Sequence, residues 1–371
     1  MSKFLYVTDQ DEYTDHSFIS PLFQKYLNRH FEINTIFFSK FKNEIELKDD
    51  GRIIIPERSS ANLLEELTNK GINVSDYAFV VVRNNTTLLK DILKKKNKYN
   101  YKVGFRLSFP KRIAKLQTDE ANHKKTLFDV INNKIQTYSE VSLINECDIF
   151  LPTSFQMKND YFKDVKVRTF VIPSAIDPDI LHDNIQHEGK EKRFFYAGTL
   201  DKLREFETVL EAFSNIAVNK YKLLISTKDP EYLDDILSKF PNLKNNIEIC
   251  EAKTREDLLN LIALADVGLS VLPDIALFNS STPIKVLDYY SSAVPCIMSK
   301  NENNTSIFED WIKIEILIKN IITKVNKHTQ INISDDEELL NSLLSHIKPT
   351  IYRLKNNLNI ERDIYFEAVE A

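Results

Sequence analysis

The chain predicts an α/β protein made of two doubly wound, parallel-sheet domains, on three observations. Short apolar runs alternate with amphipathic stretches, which is how buried parallel strands joined by helices read. One polar segment interrupts that alternation near the middle, and the alternation then restarts. At 371 residues the chain is too long for one ordinary core and comfortable for two.

In the first half the predicted strands are 4–8, 33–38, 52–55, 77–82, 102–107, 149–154 and 168–174. Between them lie helical stretches at 17–29, 60–70 and 86–96, and a long one near 119–146. The polar, strandless AIDPDILHDNIQHEGKEK at 175–192 reads as the connection. Strands at 194–198, 222–227, 247–250, 267–272 and 296–299 follow, with helices at 205–218, 230–239, 254–265 and 283–292. Only helical stretches come after, near 307–328, 335–347 and 349–368. The expected organisation is a first domain over 1–175, a linker over 176–192, a second domain over 193–335 and closing helices over 336–371.

Composition narrows the function. The 6 glycines are scattered, so neither G-x-G-x-x-G nor G-x-x-x-x-G-K-[ST] occurs, which argues against a dinucleotide fingerprint and a P-loop. Cys147, Cys250 and Cys296 follow no ligand spacing and read as small buried hydrophobes in a reducing compartment. The N-terminus turns acidic within nine residues and no run reaches the length of a membrane span, so a cytoplasmic protein is expected. Residues 1–175 hold 27 Lys/Arg against 22 Asp/Glu, and 176–371 hold 22 against 32. Arg83 to Lys125 alone holds 13 basic and 3 acidic residues. This stretch is either a surface facing anionic lipid or a phosphate-bearing acceptor, or a solvated face. Nucleic acid is not an expected partner of a chain this acidic overall.

The segment STPIKVLDYYSSAVPCI, 281–297, concentrates the chemistry. Pro283 favours a helix start, and the unpaired amides of a first turn welcome phosphate. Lys285 adds a cation there, and Asp288 lies one turn deeper. Ser281 and Thr282 offer hydroxyls and amides, or cap the helix. Upstream, a strand ends at Gly198, where the backbone turns and a ligand can approach. Arg204 just ahead of the next helix can face a diphosphate. The plainer alternatives pair Arg204 with Glu205 or Glu207 and leave Lys285 in solvent.

These residues resemble the donor site of retaining GT-B glycosyltransferases, glycosyltransferase family four. Ser281, Pro283, Lys285, Asp288, Tyr289, Ser291, Ala293, Pro295, Cys296 and Ile297 follow that family's S-x-P-x-K-x-x-E-Y-x-A-x-G-x-P-V-I. Gly198, Leu200 and Arg204 follow its G-R-L-x-x-x-K-G, with Thr199 in place of the first arginine and Glu205 in place of the second glycine. VIPSAID at 171–177 resembles its V-I-P-N-G-V-D hinge. The resemblance implies a GT-B fold, two Rossmann-like domains facing a cleft, with the closing helices crossing back to the first. It implies sugar transfer from a UDP- or GDP-linked donor to a saccharide or lipid-linked acceptor, without cofactor or metal, in bacterial surface polysaccharide assembly.

The family's acid at 288 holds the ribose. Its other glutamate stands where Ser280 does, near the donor sugar. Gly198, Thr199, Ser280, Ser281, Thr282, Pro283, Asp288 and Lys253, in the loop after 247–250, are the expected donor contacts. Arg204 and Lys285 are expected to stabilise the leaving diphosphate, and His123 is a further catalytic candidate. His16 and Arg106 are acceptor-side candidates. Peripheral contact with an anionic membrane through 83–125, at the inner face of the cell membrane, is also expected. The departures at 199, 280, 288 and 293 leave open a degenerate GT-B binding subunit, and a nucleotide-sugar epimerase is a third reading. Asp9 and Asp11 form a D-x-D that resembles the metal motif of GT-A enzymes, but its place after the first strand argues against metal.

Overall fold

A computed structural model describes residues 2–10, 20–174, 191–216, 220–280 and 283–300. The chain divides into two compact units, 1–175 and 176–371.

In the first unit β1 (Lys3–Val7), β2 (Glu32–Ser39), β3 (Glu46–Leu47), β4 (Arg52–Pro56), β5 (Tyr77–Arg83), β6 (Lys102–Leu107) and β7 (Ile149–Pro152) form one sheet, ordered β3-β4-β2-β1-β5-β6-β7. Every pairing is parallel except β3 on β4. The helices are α1 (Leu63–Asn69), α2 (Thr86–Tyr99), α3 (Lys111–Ala121), α4 (Leu127–Asn145) and α5 (Phe155–Tyr161). Leu5, Val80, Val82, Phe105 and Phe150 sit at the centre of the core, all fully buried. These runs read as strands because both faces are covered, so apolar residues are continuous rather than alternating.

The sheet of the second unit is smaller and wholly parallel. β8 (Lys192–Ala197), β9 (Tyr221–Ser226), β10 (Ile247–Ile249), β11 (Val267–Ser270) and β12 (Cys296–Met298) run in the order β10-β9-β8-β11-β12. Its helices are α6 (Phe206–Ser214), α7 (Pro230–Leu237), α8 (Arg255–Ala263), α9 (Ala276–Asn279) and α10 (Ile284–Ser291). Order reverses at β8, between β9 and β11, and such a switch point opens a crevice at the strands' carboxyl ends. Gly268 on β11 is in contact with α10. A Cβ there would fall 2.5 Å from the Tyr289 ring, whose hydroxyl donates to the Phe195 carbonyl at 3.0 Å.

The two doubly wound parallel sheets are as expected, and so is the burial of the three cysteines, Cys147, Cys250 and Cys296. Three local expectations are corrected. The long helix at 119–146 is two helices. His123, at φ +56°, turns the chain out of α3, and a capping box between Thr126 and Asp129 starts α4 afresh. Residues 168–174 form no regular strand; they run beside β7 through one bridge, Phe150 to Thr169, and the Ile172 amide donates to the Pro152 carbonyl at 2.9 Å. The 17–29 stretch is not an α-helix where it is described: Ser20–Tyr26 is a wide π-helical turn, followed by a 3-10 turn at Leu27–Arg29. The closing helices and most of the linker lie outside the described residues. Among the described residues no helix is long and apolar enough to cross a membrane.

Candidate donor-phosphate site

The site grows from the end of β8. Gly198 leaves the strand at φ +139°, a backbone open to glycine alone, and its amide donates to the Ser226 carbonyl of β9 at 3.0 Å. Tyr196, one residue before the strand ends, is buried and donates its hydroxyl to the Thr199 carbonyl at 2.8 Å, which fixes the turn. Burial raises the Tyr196 phenol well above its usual range, so it stays a donor. Leu200 and Phe206 plug the turn into the core.

Lys285 enters from the first turn of α10. Its ammonium lies 4.0 Å from the centre of the Tyr196 ring, and 3.1 Å from where a Cβ at Gly198 would stand. Desolvation, and then repulsion from Arg204, pull its pKa down to about 7. Among the described residues no carboxylate pairs with it, and the side chain as a whole is half-buried. Pro283 sits just outside the helix, at the N-cap, rather than inside it, and among the described residues no side chain caps the first amides.

Arg204 ends a 3-10 turn at Lys202–Arg204 and pairs with Asp201, not with Glu205 or Glu207. Asp201 also accepts from the Arg204 amide at 2.9 Å. The guanidinium carbon lies 5.7 Å from the centre of the Phe278 ring, on α9. Two cations from separate elements thus flank the end of β8, and between them they hold one carboxylate.

Asp288 is almost wholly buried, and its carboxylate accepts from Arg255 Nη2 at 2.5 Å. Burial pushes its carboxyl up and Arg255 pulls it back, with a net rise. Arg255 is a residue that the sequence reading missed. It is the first residue of α8, directly after the Thr254 cap, but the partner lies 33 positions away on another helix. Lys253, in the loop ahead of α8, is exposed and 3.7 Å from Glu251.

Several expectations need correction. Ser280 is fully buried and donates to the Leu277 carbonyl at 2.9 Å, closing α9 rather than offering a hydroxyl to a sugar. Arg106 is fully buried and donates to the Leu151 and Ile172 carbonyls at 3.2 and 2.6 Å; it ties 168–174 to the sheet and does not face an acceptor. His123 is an exposed residue in the turn after α3. Ser281, Thr282, His16 and Asp11 lie outside the described residues. Asp9 is held by Arg83, by Lys111 at 2.6 Å and by Asn84 at 3.3 Å, so its carboxylate is committed at the end of β1. Beside it a pocket of about 260 Å³ opens in the first unit, lined by Asn84, Phe109, Lys111, Arg112 and Glu140 among others.

About half of the basic residues in 83–125 are tied within the unit, Arg83, Arg106 and Lys111 as above. Lys95 binds Glu65 and Asp91, Lys96 binds Asp148, Arg112 binds Glu140 and Lys125 binds Glu120.

Residues 177–341 match the family model for glycosyl transferases group 1. A second match, to the PRD domain, covers 319–370, outside the described residues. No curated protein matches the chain. Among solved structures, HepE from Anabaena in complex with UDP is similar at 10% identity and a TM-score of 0.59, over 100% of both chains. A glycosyltransferase from Rickettsia africae is similar at 14% identity and 0.58, over 99% of this chain and 98% of that one. The apo form of WaaB, a lipopolysaccharide outer core galactosyltransferase, is similar at 10% and 0.55, over 97% and 99%. At such identities the likeness is one of fold, and that fold is GT-B. The chain thus has the GT-B fold, and its second unit is similar to glycosyl transferases group 1 over 177–341, a little under half of the chain.

Proposed function

We propose that the protein moves a sugar, with retention and without a metal, from a UDP- or GDP-linked donor to a saccharide or lipid-linked acceptor. Its setting is bacterial surface polysaccharide assembly, at the cytoplasmic face of the membrane. One observation carries this reading: the Lys285 ammonium lies over the Tyr196 ring at the end of β8, without a carboxylate partner among the described residues and close enough to Arg204 to be repelled by it. Such a pair is an electrostatic arrangement completed by a bound diphosphate. Breaking a glycosyl–phosphate bond needs the leaving diphosphate stabilised, and fixed cations beside helix amides supply that. HepE, whose solved structures include complexes with UDP and with UDP-glucose, supports a uridine-linked donor. The pocket at Lys111 and Arg112 is the acceptor's place in the first unit.

Calorimetry with UDP and GDP tests the donor site. Lys285→Ala and Arg204→Ala should each weaken binding by about 2 kcal/mol, the size of a lost charge-assisted contact. Unchanged binding in both variants refutes the assignment. Turnover in the presence of a chelator tests metal independence, and the anomeric configuration of the product tests retention.

The burial of Ser280 and the Arg255 clamp on Asp288 favour one second reading, a GT-B subunit that binds nucleotide without turnover. Release of free nucleoside diphosphate from the sugar donor separates the two.

A further inference from the structure

Helix α4 is turned inside out relative to a surface helix of a water-soluble domain. Leu127, Phe128, Ile131, Ile135 and Tyr138 are 77, 74, 50, 63 and 81% exposed. Their spacing puts them on one side of the helix, a stripe more than two turns long. The opposite side is the packed one: Ile144 is buried, and Asn133, Thr137 and Glu140 take the Arg112 guanidinium of α3. The apolar stripe therefore faces outward because the helix is anchored by its polar side. Exposed apolar surface of this continuity marks a place where something other than water belongs.

The charges around the stripe say what. Lys115, Lys124 and Lys134 are exposed on α3, the α3–α4 turn and α4, without an ion-pair partner among the described residues. The neighbouring acids are mostly occupied: Glu120 by Lys125, Asp129 by the Thr126 cap and Glu140 by Arg112. Asp119 is left as the one carboxylate between Lys111 and Asn145 without such a partner among the described residues. An aromatic and aliphatic ridge rimmed by exposed lysines that form no close ion pair is complementary to an anionic lipid surface, where apolar side chains enter the acyl boundary and lysines meet the headgroups.

We infer that the outward face of α4, rather than the basic stretch 83–125 as a whole, docks the protein on an anionic bilayer, with Phe128 and Ile135 entering the interface. The same helix carries Gln136, Ser139 and Glu140 into the wall of the 260 Å³ pocket. Docking by α4 thus brings the pocket to within about 10 Å, one helix diameter, of the membrane surface, where a lipid-linked acceptor's headgroup resides. The docking does not rest on the transfer reaction; only this consequence does.

Cosedimentation of the full chain with vesicles tests it. Phosphatidylcholine vesicles containing phosphatidylglycerol should bind the protein, pure phosphatidylcholine should bind it far less, and high salt should release it. The double substitution Phe128→Ser, Ile135→Ser, both at exposed positions, should lower partitioning at least about tenfold while leaving UDP binding intact. Lys124→Glu with Lys134→Glu should remove the preference for anionic lipid. In a second measurement a polarity-sensitive dye on Ile135→Cys should report water in the free protein and shift to the blue on vesicles. Failure to bind anionic vesicles, or equal binding by the serine double variant, overturns the proposal. So does a dye already blue without lipid: a shift reversed by dilution gives the face to a second copy, and one that persists gives it to residues 301–371.

Discussion

The Lys285 ammonium occupies the space that a side chain on residue 198 would need: its Nζ is 3.1 Å, and its Cε 3.5 Å, from the position of a Cβ on Gly198. The glycine's two properties act together here. Its φ of +139° is closed to other residues, and its bare Cα lets the lysine lie against the backbone and over the Tyr196 ring.

Gly198→Ala should therefore do two separable things. Backbone strain of about 1–3 kcal/mol should lower the melting temperature. Displacement of Lys285 should weaken UDP binding by about tenfold or more, or about 1.4 kcal/mol. Thermal unfolding with and without UDP reads both effects. A variant with lowered stability but unaltered UDP affinity would mean that Lys285 reaches the nucleotide by another path, or not at all.

Nucleotide binding should be linked to protonation of Lys285. In the free folded protein its pKa is near 7 against 10.5 in an unfolded chain, so between those values the unfolded state holds more protons. Lys285 therefore contributes to stability increasingly as pH rises through that window, and its contribution is at its worst below about 7. A diphosphate reverses the sign locally, because it favours the ammonium. Affinity for UDP should fall as pH rises above about 7, by up to about tenfold per unit. Calorimetry at pH ~8 in two buffers of different ionisation enthalpy should show uptake of up to ~1 proton on binding. Lys285→Arg should flatten this profile, since guanidinium does not titrate there.

Two positions where the resembled family carries glycine keep the glycine conformation without the glycine. Glu205 has φ +50° and Ala293 has φ +53°. Ala293 closes α10 in a Schellman turn, with its amide on the Tyr290 carbonyl at 3.1 Å and the Val294 amide on the Tyr289 carbonyl at 2.9 Å. Left-handed backbone costs an L-residue roughly 1–2 kcal/mol, part of which glycine returns as unfolded-chain entropy. Glu205→Gly and Ala293→Gly should each stabilise the protein by about 1 kcal/mol in chemical denaturation. Destabilisation by either would show that the side chain has a role beyond the turn.

How much of this was legible beforehand follows from the range of the interactions. Strands such as 102–107 declared themselves because burial on both faces leaves an unbroken apolar run. Gly198 and Lys285 were legible as motif positions, and Gly198 as a turn. The break at His123 was not read, because α3 and α4 are both amphipathic; the one local sign of it was the Thr126-x-x-Asp129 capping box. Arg106 looked available because it is charged, but β6 is the second strand from the sheet's edge, and its side chain satisfies carbonyls of β7 and the segment beyond. The stripe on α4 was hidden for a related reason: apolar spacing marks one side of a helix but not which way that side faces. The partner of Asp288 depends on α8 packing beside α10, a relationship that no local pattern contains.

That last pair supports a prediction with a defined pH dependence. Asp288 is buried and its carboxyl is raised by desolvation, with Arg255 the group that opposes the rise. A folded-state value above the unfolded one means that the protonated form is favoured in the fold. The contribution to stability is then full below the unfolded value of 3.8 and is lost as pH rises through the folded value. Arg255→Ala removes the opposing charge, so the folded value moves further up and the loss extends towards neutrality. Breaking a buried pair on one side typically costs about 3–5 kcal/mol. The Arg255→Ala deficit should accordingly be larger at pH ~7.5 than at pH ~5, measured as the difference in unfolding free energy from the native protein. Asp288→Asn on the same background should recover much of it, because a neutral amide has no charge to strand. A deficit that does not vary with pH, or is not relieved by the second substitution, would show that Arg255 supports α8 by packing alone and that its contact with Asp288 is incidental.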